Sequence, residues 1–145
     1  MAKGRVLLAH ENVDCRKIYG SVLTFEGYEV EVASDGDAAL QLLATLAFDV
    51  IVSDLYLSSA TDECFVRLVR ANAFSAHLPV VVITGWTTEV HRLLALEEGA
   101  DSFLALPLRP RELSQAIARL LTEPQRPLQH FGSSMRPDTT VANGL

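Results

Sequence analysis

The sequence has little cysteine, little lysine and no long apolar run, and each shortage excludes something. Two cysteines in 145 residues, Cys15 and Cys64, are too few for a disulfide scaffold. They also lack the close spacing of a zinc site and read as reduced thiols of a cytoplasmic protein. Basic residues are outnumbered 12 to 18 by acidic ones, giving a net charge of −6 and a pI near 5.1. That argues against direct binding of nucleic acid or an acidic membrane surface, both of which need a basic patch. The N-terminal apolar stretch, Val6 to Ala9, is far shorter than a signal-peptide core. The longest stretch free of Asp, Glu, Lys and Arg, Ala71 to Thr88, holds Asn72, Ser75, His77, Pro79 and Gly85, so it is no membrane span. No Gly-rich phosphate loop, Ser-His-Asp arrangement or Cys/His cluster is present.

What is there is globular: 49% hydrophobic and 21% charged residues, with mean hydropathy +0.22. Short apolar runs alternate five times with longer segments of helical period. Expected strands are Val6–Ala9, Tyr28–Val32, Val50–Val52, Val80–Ile83 and Ser102–Ala105. The first, third and fourth are uninterrupted and suit burial on both faces; the second alternates and suits an edge. Helices are expected from Asn12, a good N-cap, to Glu26, and from the capping-box-like Ser34–Asp37 through Leu46. Three more are expected near Asp62–Asn72, from Thr87 to Glu98 and from Pro110 onward, the last with Leu113, Ile117, Leu120 and Leu121 at core spacing. Residues 1–122 form one domain in this reading. Residues 123–145, with half of the six prolines, form a C-terminal tail or linker.

Five β-α units imply a parallel sheet with right-handed crossovers, and ligands then bind beyond the strands' carboxyl ends at the switch in strand order. For order 2-1-3-4-5 that point brings together His10-Glu11-Asn12 after strand one, Ser53-Asp54 after strand three and Thr84-Gly85 after strand four. Oxygens of Glu11 and Asp54 suit a hard cation such as Mg²⁺. A carboxylate there suits nucleophilic attack on phosphorus, with the Thr84 hydroxyl donating to the transferred group. The competing reading is that wet loops at strand ends are rich in acidic and polar residues whatever their use.

At these residues the chain resembles the receiver domain of bacterial two-component response regulators. The resemblance spans about Lys3 to Thr122. It rests on Val6-Leu7-Leu8-Ala9-His10-Glu11-Asn12, on Val50-Ile51-Val52-Ser53-Asp54-Leu55-Tyr56-Leu57, on Val81-Val82-Ile83-Thr84-Gly85 and on the stretch from Gly99 to Leu108. It implies an α/β, flavodoxin-like, doubly wound five-stranded sheet with five helices and a phosphoryl-accepting Asp54. It further implies Mg²⁺ held by Glu11, Asp54 and the Tyr56 carbonyl, switch residues Thr84 and Phe103, and a histidine kinase or phosphotransfer protein as donor. A signalling surface on helix four, strand five and helix five, able to form a homodimer, belongs to the same expectation.

Two positions depart from the family: His10 replaces the first of two carboxylates, and Leu106 replaces the lysine that pairs with the aspartate and the phosphoryl group. The two changes offset each other in charge, so attraction for Mg²⁺ is kept while His10 is neutral and falls as pH drops through the histidine range near about 6.5. The cation that recognises the phosphoryl group is lost, which predicts weak coupling of Asp54 to the output face. Three functions stay open: a phosphoacceptor, a pseudo-receiver acting by binding or dimerisation without phosphorylation, and a small enzyme or cofactor carrier on the same fold. His77, His91 and His130 lack ligand spacing. For Trp86, contact with a partner and packing on helix four are equally open. Either isomer of Leu106-Pro107 is open, trans being the commoner for X–Pro bonds.

Overall fold

The computed structural model describes residues 3–61 and 63–123. Ten elements alternate: β1 (Arg5–Ala9), α1 (Val13–Phe25), β2 (Glu29–Ala33), α2 (Gly36–Thr45), β3 (Val50–Ser53), α3 (Phe65–Ala71), β4 (Val80–Thr84), α4 (Glu89–Glu98), β5 (Ser102–Ala105) and α5 (Pro110–Thr122). All strand pairs are parallel, in order β2-β1-β3-β4-β5. The expected tail lies outside the described residues from residue 124 onward.

The continuous apolar runs are buried on both faces, as their composition requires. Leu7, Ala9, Ile51, Val80 and Val82 point to one side, against α2, α3 and α4. Val6, Leu8, Val50, Val52, Val81 and Ile83 point to the other, where Tyr19 and Leu23 of α1 and Leu113 and Ile117 of α5 cover them. β2 takes the edge, with Val32 half exposed.

Three helix starts differ from expectation, each for a local hydrogen-bonding reason. The Asp35 carboxylate accepts from Ala38 N–H at 2.8 Å, so α2 is capped at Asp35 and not at Ser34. Thr88 caps α4 by accepting from His91 N–H, which moves its start from Thr87 to Glu89. α3 begins only at Phe65, because Ser59 and Thr61 hold the preceding chain in turns: Ser59 Oγ donates to the Thr61 carbonyl at 2.6 Å and Thr61 Oγ1 accepts from Glu63 N–H. α1 and α4 stop as expected, with Gly27 at φ +104° and Gly99 at φ +118°, conformations that favour glycine.

Candidate functional site

Strand register builds the site. Ala9 of β1 lies opposite Ser53 of β3, so the next residues along each strand, His10 and Asp54, emerge side by side. The Asp54 N–H extends this ladder by one bond, donating to the Ala9 carbonyl at 3.1 Å. Alternation puts both residues on the side of Leu8 and Val52. Thr84 ends β4 and is buried at the same rim.

Asp54 keeps little freedom. Its Oδ1 accepts from Leu55 N–H at 2.7 Å, while Oδ2 faces His10 Nε2 at 3.5 Å. The side chains are 15% and 5% exposed, so this pair is largely shielded from water. His10 Nδ1 accepts from Asn12 N–H at 3.2 Å, whereas Nε2 is buried without a hydrogen-bond partner. Arg16 fixes the loop behind the pair, donating from Nη1 to the carbonyls of His10 at 2.6 Å and Glu11 at 3.0 Å. Asn12 caps α1 by accepting from Cys15 N–H at 3.0 Å.

Glu11 behaves differently. It is exposed, and its Oε2 accepts from the Ser58 N–H at 2.6 Å, across the cleft on the β3–α3 loop. That backbone hydrogen bond holds the Glu11 carboxyl below its ordinary range. The cleft beside it is lined by Tyr56, Ser58, Thr61 and Leu94. The Cys15 thiol is pushed up, chiefly by burial and then by the negative charges of Asp54 and Asp14.

Thr84 Oγ1 accepts from Trp86 N–H at 3.2 Å, which leaves its own proton to donate. Leu106 packs into the apolar cluster with Leu8, Val52 and Ile83, and its bond to Pro107 is cis. The only lysines in the sequence, Lys3 and Lys17, sit elsewhere: Lys3 Nζ lies 5.6 Å from the Tyr28 ring centroid, and Lys17 borders a groove with Phe25. Arg109, the N-cap of α5, and Arg111 in its first turn are exposed. Among the described residues no lysine or arginine pairs with Asp54. Phe103 is partly buried against the α2–α4 side.

The donor chemistry suits a hard dication, with two carboxylates, Asp54 and Glu11, and the Tyr56 carbonyl as oxygen ligands. Among the described residues no three His, Cys, Asp or Glu side chains gather as a metal-holding group. Glu11 is bound to Ser58 N–H with only one of its two oxygens.

Sequence reasoning missed two contacts. One is the Ser58 anchor for Glu11, for which the sequence holds no signal, since a backbone N–H carries no residue identity. The other is an aromatic cluster at the cleft mouth. Tyr56 meets Trp86 edge-on at 5.5 Å between centroids and His91 edge-on at 5.8 Å, and Trp86 lies 5.3 Å from His91. Trp86 therefore packs on α4 while staying 54% exposed.

A doubly wound sheet of this order, with an aspartate directly after its central strand and a buried threonine ending the neighbouring strand, is the arrangement of a signalling receiver domain. The model for the response regulator receiver domain matches residues 6–118, and the chain belongs to that family. The chemotaxis response regulator CheY4 of Vibrio cholerae is 31% identical with a TM-score of 0.73, the match covering 82% of this chain and 98% of that one. The DNA-binding response regulator MtrA of Mycobacterium tuberculosis is 30% identical over 126 residues, 86% of this chain and 54% of that protein. The chain thus spans about half the length of such curated relatives. The receiver domain of sensor histidine kinase PA1611 from Pseudomonas aeruginosa, described with magnesium in its active-site cleft, shares the fold at 24% identity and a TM-score of 0.76, with 84% of this chain and all of that one covered. Among the described residues no helix is long and apolar enough to cross a membrane.

Proposed function

We infer that residues 1–122 work in the cytoplasm as a phosphoacceptor, with Asp54 receiving a phosphoryl group from a histidine kinase or phosphotransfer protein. The observation that carries this reading is the Asp54 carboxylate itself: it directly follows the central strand, is anchored through Oδ1 by Leu55 N–H, and faces His10 Nε2 with Oδ2 at 3.5 Å. In the step, a carboxylate oxygen of Asp54 bonds to phosphorus while the donor's N–P bond breaks. The electron pair leaves with the donor imidazole, which is protonated by solvent. The Thr84 hydroxyl donates to the transferred group. Mg²⁺ held by Asp54, Glu11 and the Tyr56 carbonyl would neutralise charge on the phosphoryl oxygens.

Output passes through α4, β5 and α5, where Val90, Leu93 and Leu96 are exposed on α4 and suit a homodimer or another protein partner. Residues 123–145 serve as a tail or linker. A second reading, a pseudo-receiver that binds without phosphorylation, is favoured by one observation: a packed leucine at 106 leaves Asp54 without a lysine. Exposure to radiolabelled acetyl phosphate and Mg²⁺ separates the two. Acid-stable, base-labile label on the wild type and none on Asp54→Asn supports the phosphoacceptor; an unlabelled wild type with dimerisation intact supports the pseudo-receiver.

A further inference from the structure

Among the described residues, two buried side-chain atoms next to Asp54 lack a hydrogen-bond partner, His10 Nε2 and Ser53 Oγ, and of these the imidazole nitrogen faces the Asp54 carboxylate at 3.5 Å. The His10 Nε2 stands unpaired although buried polar atoms are nearly always paired. Its position is not accidental packing, because three contacts fix it. The Asn12 N–H donates to Nδ1 at 3.2 Å, the His10 N–H donates to the Ala33 carbonyl at 3.0 Å, and Arg16 holds the His10 carbonyl at 2.6 Å. The first contact also fixes the proton. A nitrogen that accepts a hydrogen bond carries no hydrogen, so in the neutral ring the proton resides on Nε2. That N–H faces Asp54 Oδ2 at 3.5 Å, close but longer than the 2.7–3.2 Å typical of an N–H···O bond.

We propose that His10 is a positioning residue for the Asp54 phosphoryl group: its buried Nε2–H, fixed by Asn12, donates to a phosphoryl oxygen once Asp54 is modified. This rests on the phosphoacceptor reading and deepens it. Leu106 offers no donor, and no described lysine or arginine pairs with Asp54, whereas the His10 Nε2–H faces its Oδ2 at 3.5 Å. It approaches from β1, whereas residue 106 follows β5 at the far edge of the sheet. The ring keeps its proton throughout, so the phosphoryl transfer balances without it: one N–P bond breaks, one O–P bond forms, and His10 only donates. The same N–H argues against His10 as a metal ligand, because a ligating Nε2 must give up the hydrogen that the Asn12 contact places there.

Two measurements test this together. Long-range ¹H–¹⁵N spectra of the unmodified wild type read the tautomer directly, and a protonated Nε2 with a bare Nδ1 is expected at neutral charge. The lifetime of label from acetyl phosphate is then compared between His10→Gln, which keeps an N–H near Nε2, and His10→Leu, which fills the space without a donor. His10→Gln is expected to hold label within about twofold of wild type, and His10→Leu to lose it about tenfold faster, or about 1.4 kcal/mol at 298 K. Equal lifetimes in the two variants, or a ring protonated on Nδ1 in a protein that labels normally, overturns the His10 contact alone. A wild type that takes no label overturns the phosphoacceptor reading and the His10 contact with it.

Discussion

His10 and Glu11 are adjacent in sequence yet face different partners, because successive residues leaving a strand point to opposite sides. His10 turns inward to Asp54, and Glu11 turns outward to the Ser58 amide. The lowered Glu11 pKa has a definite consequence. A carboxylate depressed in the folded state adds stability above its unfolded value near about 4.3, and that contribution fades as pH falls through the lower folded value. The Ser58 amide resonance is therefore expected to stay fixed from neutral pH to below the usual glutamate range and then move; movement centred at or above the ordinary value contradicts the Glu11 bond. Cys15 reports on Asp54 from the other side. Burial, then the Asp54 charge, then the Asp14 charge raise its thiol, and alkylation follows the thiolate fraction. In a Cys64→Ser background, Asp54→Asn is expected to speed Cys15 alkylation by a few-fold at pH 8. An unchanged rate contradicts the proximity of the two groups.

The elements that carry the site are coupled through loops more than through helix faces. The β3–α3 loop that anchors Glu11 is pinned to the start of α2, where the Gly36 N–H donates to the Ser58 carbonyl at 2.6 Å. A Cβ at Gly36 would stand 3.0 Å from that oxygen and 3.1 Å from Ser59 Cβ, so the loop must move to admit it. Gly36→Ala is expected to cost about 1 kcal/mol in urea unfolding, the low end for overpacking, and to shift the Ser58 amide. A variant as stable as wild type with Ser58 unmoved contradicts this coupling. Here the sequence was only partly legible. The apolar runs Val50–Val52 and Val80–Ile83 showed strands buried on both faces, since burial on two sides leaves no place for polar residues. The start of α3 was illegible, because turns made by Ser59 and Thr61 compete with a helix that the composition from residue 62 onward also allows.

At the scale of the molecule, strand order does most of the work of placing the site. Order β2-β1-β3-β4-β5 sets β1 beside β3, so an acidic loop and an aspartate more than forty residues apart meet at one rim. The five β-α repeats alone implied a parallel sheet with its site at a switch in strand order, and for order 2-1-3-4-5 that switch falls between these two loops. Which side chain faces Asp54 did not follow: the register Ala9–Ser53 sets His10 beside it, with Nε2 3.5 Å from Oδ2. The departures at positions 10 and 106 were visible as residue types. Their joint effect was not, since it depends on the tautomer that Asn12 imposes and on Leu106 filling the apolar layer.

The central claim is that Asp54 forms an acyl phosphate. Borohydride reduces an acyl phosphate to the alcohol, so treatment after acetyl phosphate and Mg²⁺ converts a modified aspartate to homoserine, which peptide mass spectrometry locates. Homoserine at position 54, absent when acetyl phosphate is omitted, is the expected result. Unreduced Asp54, or homoserine at another carboxylate with position 54 untouched, contradicts it.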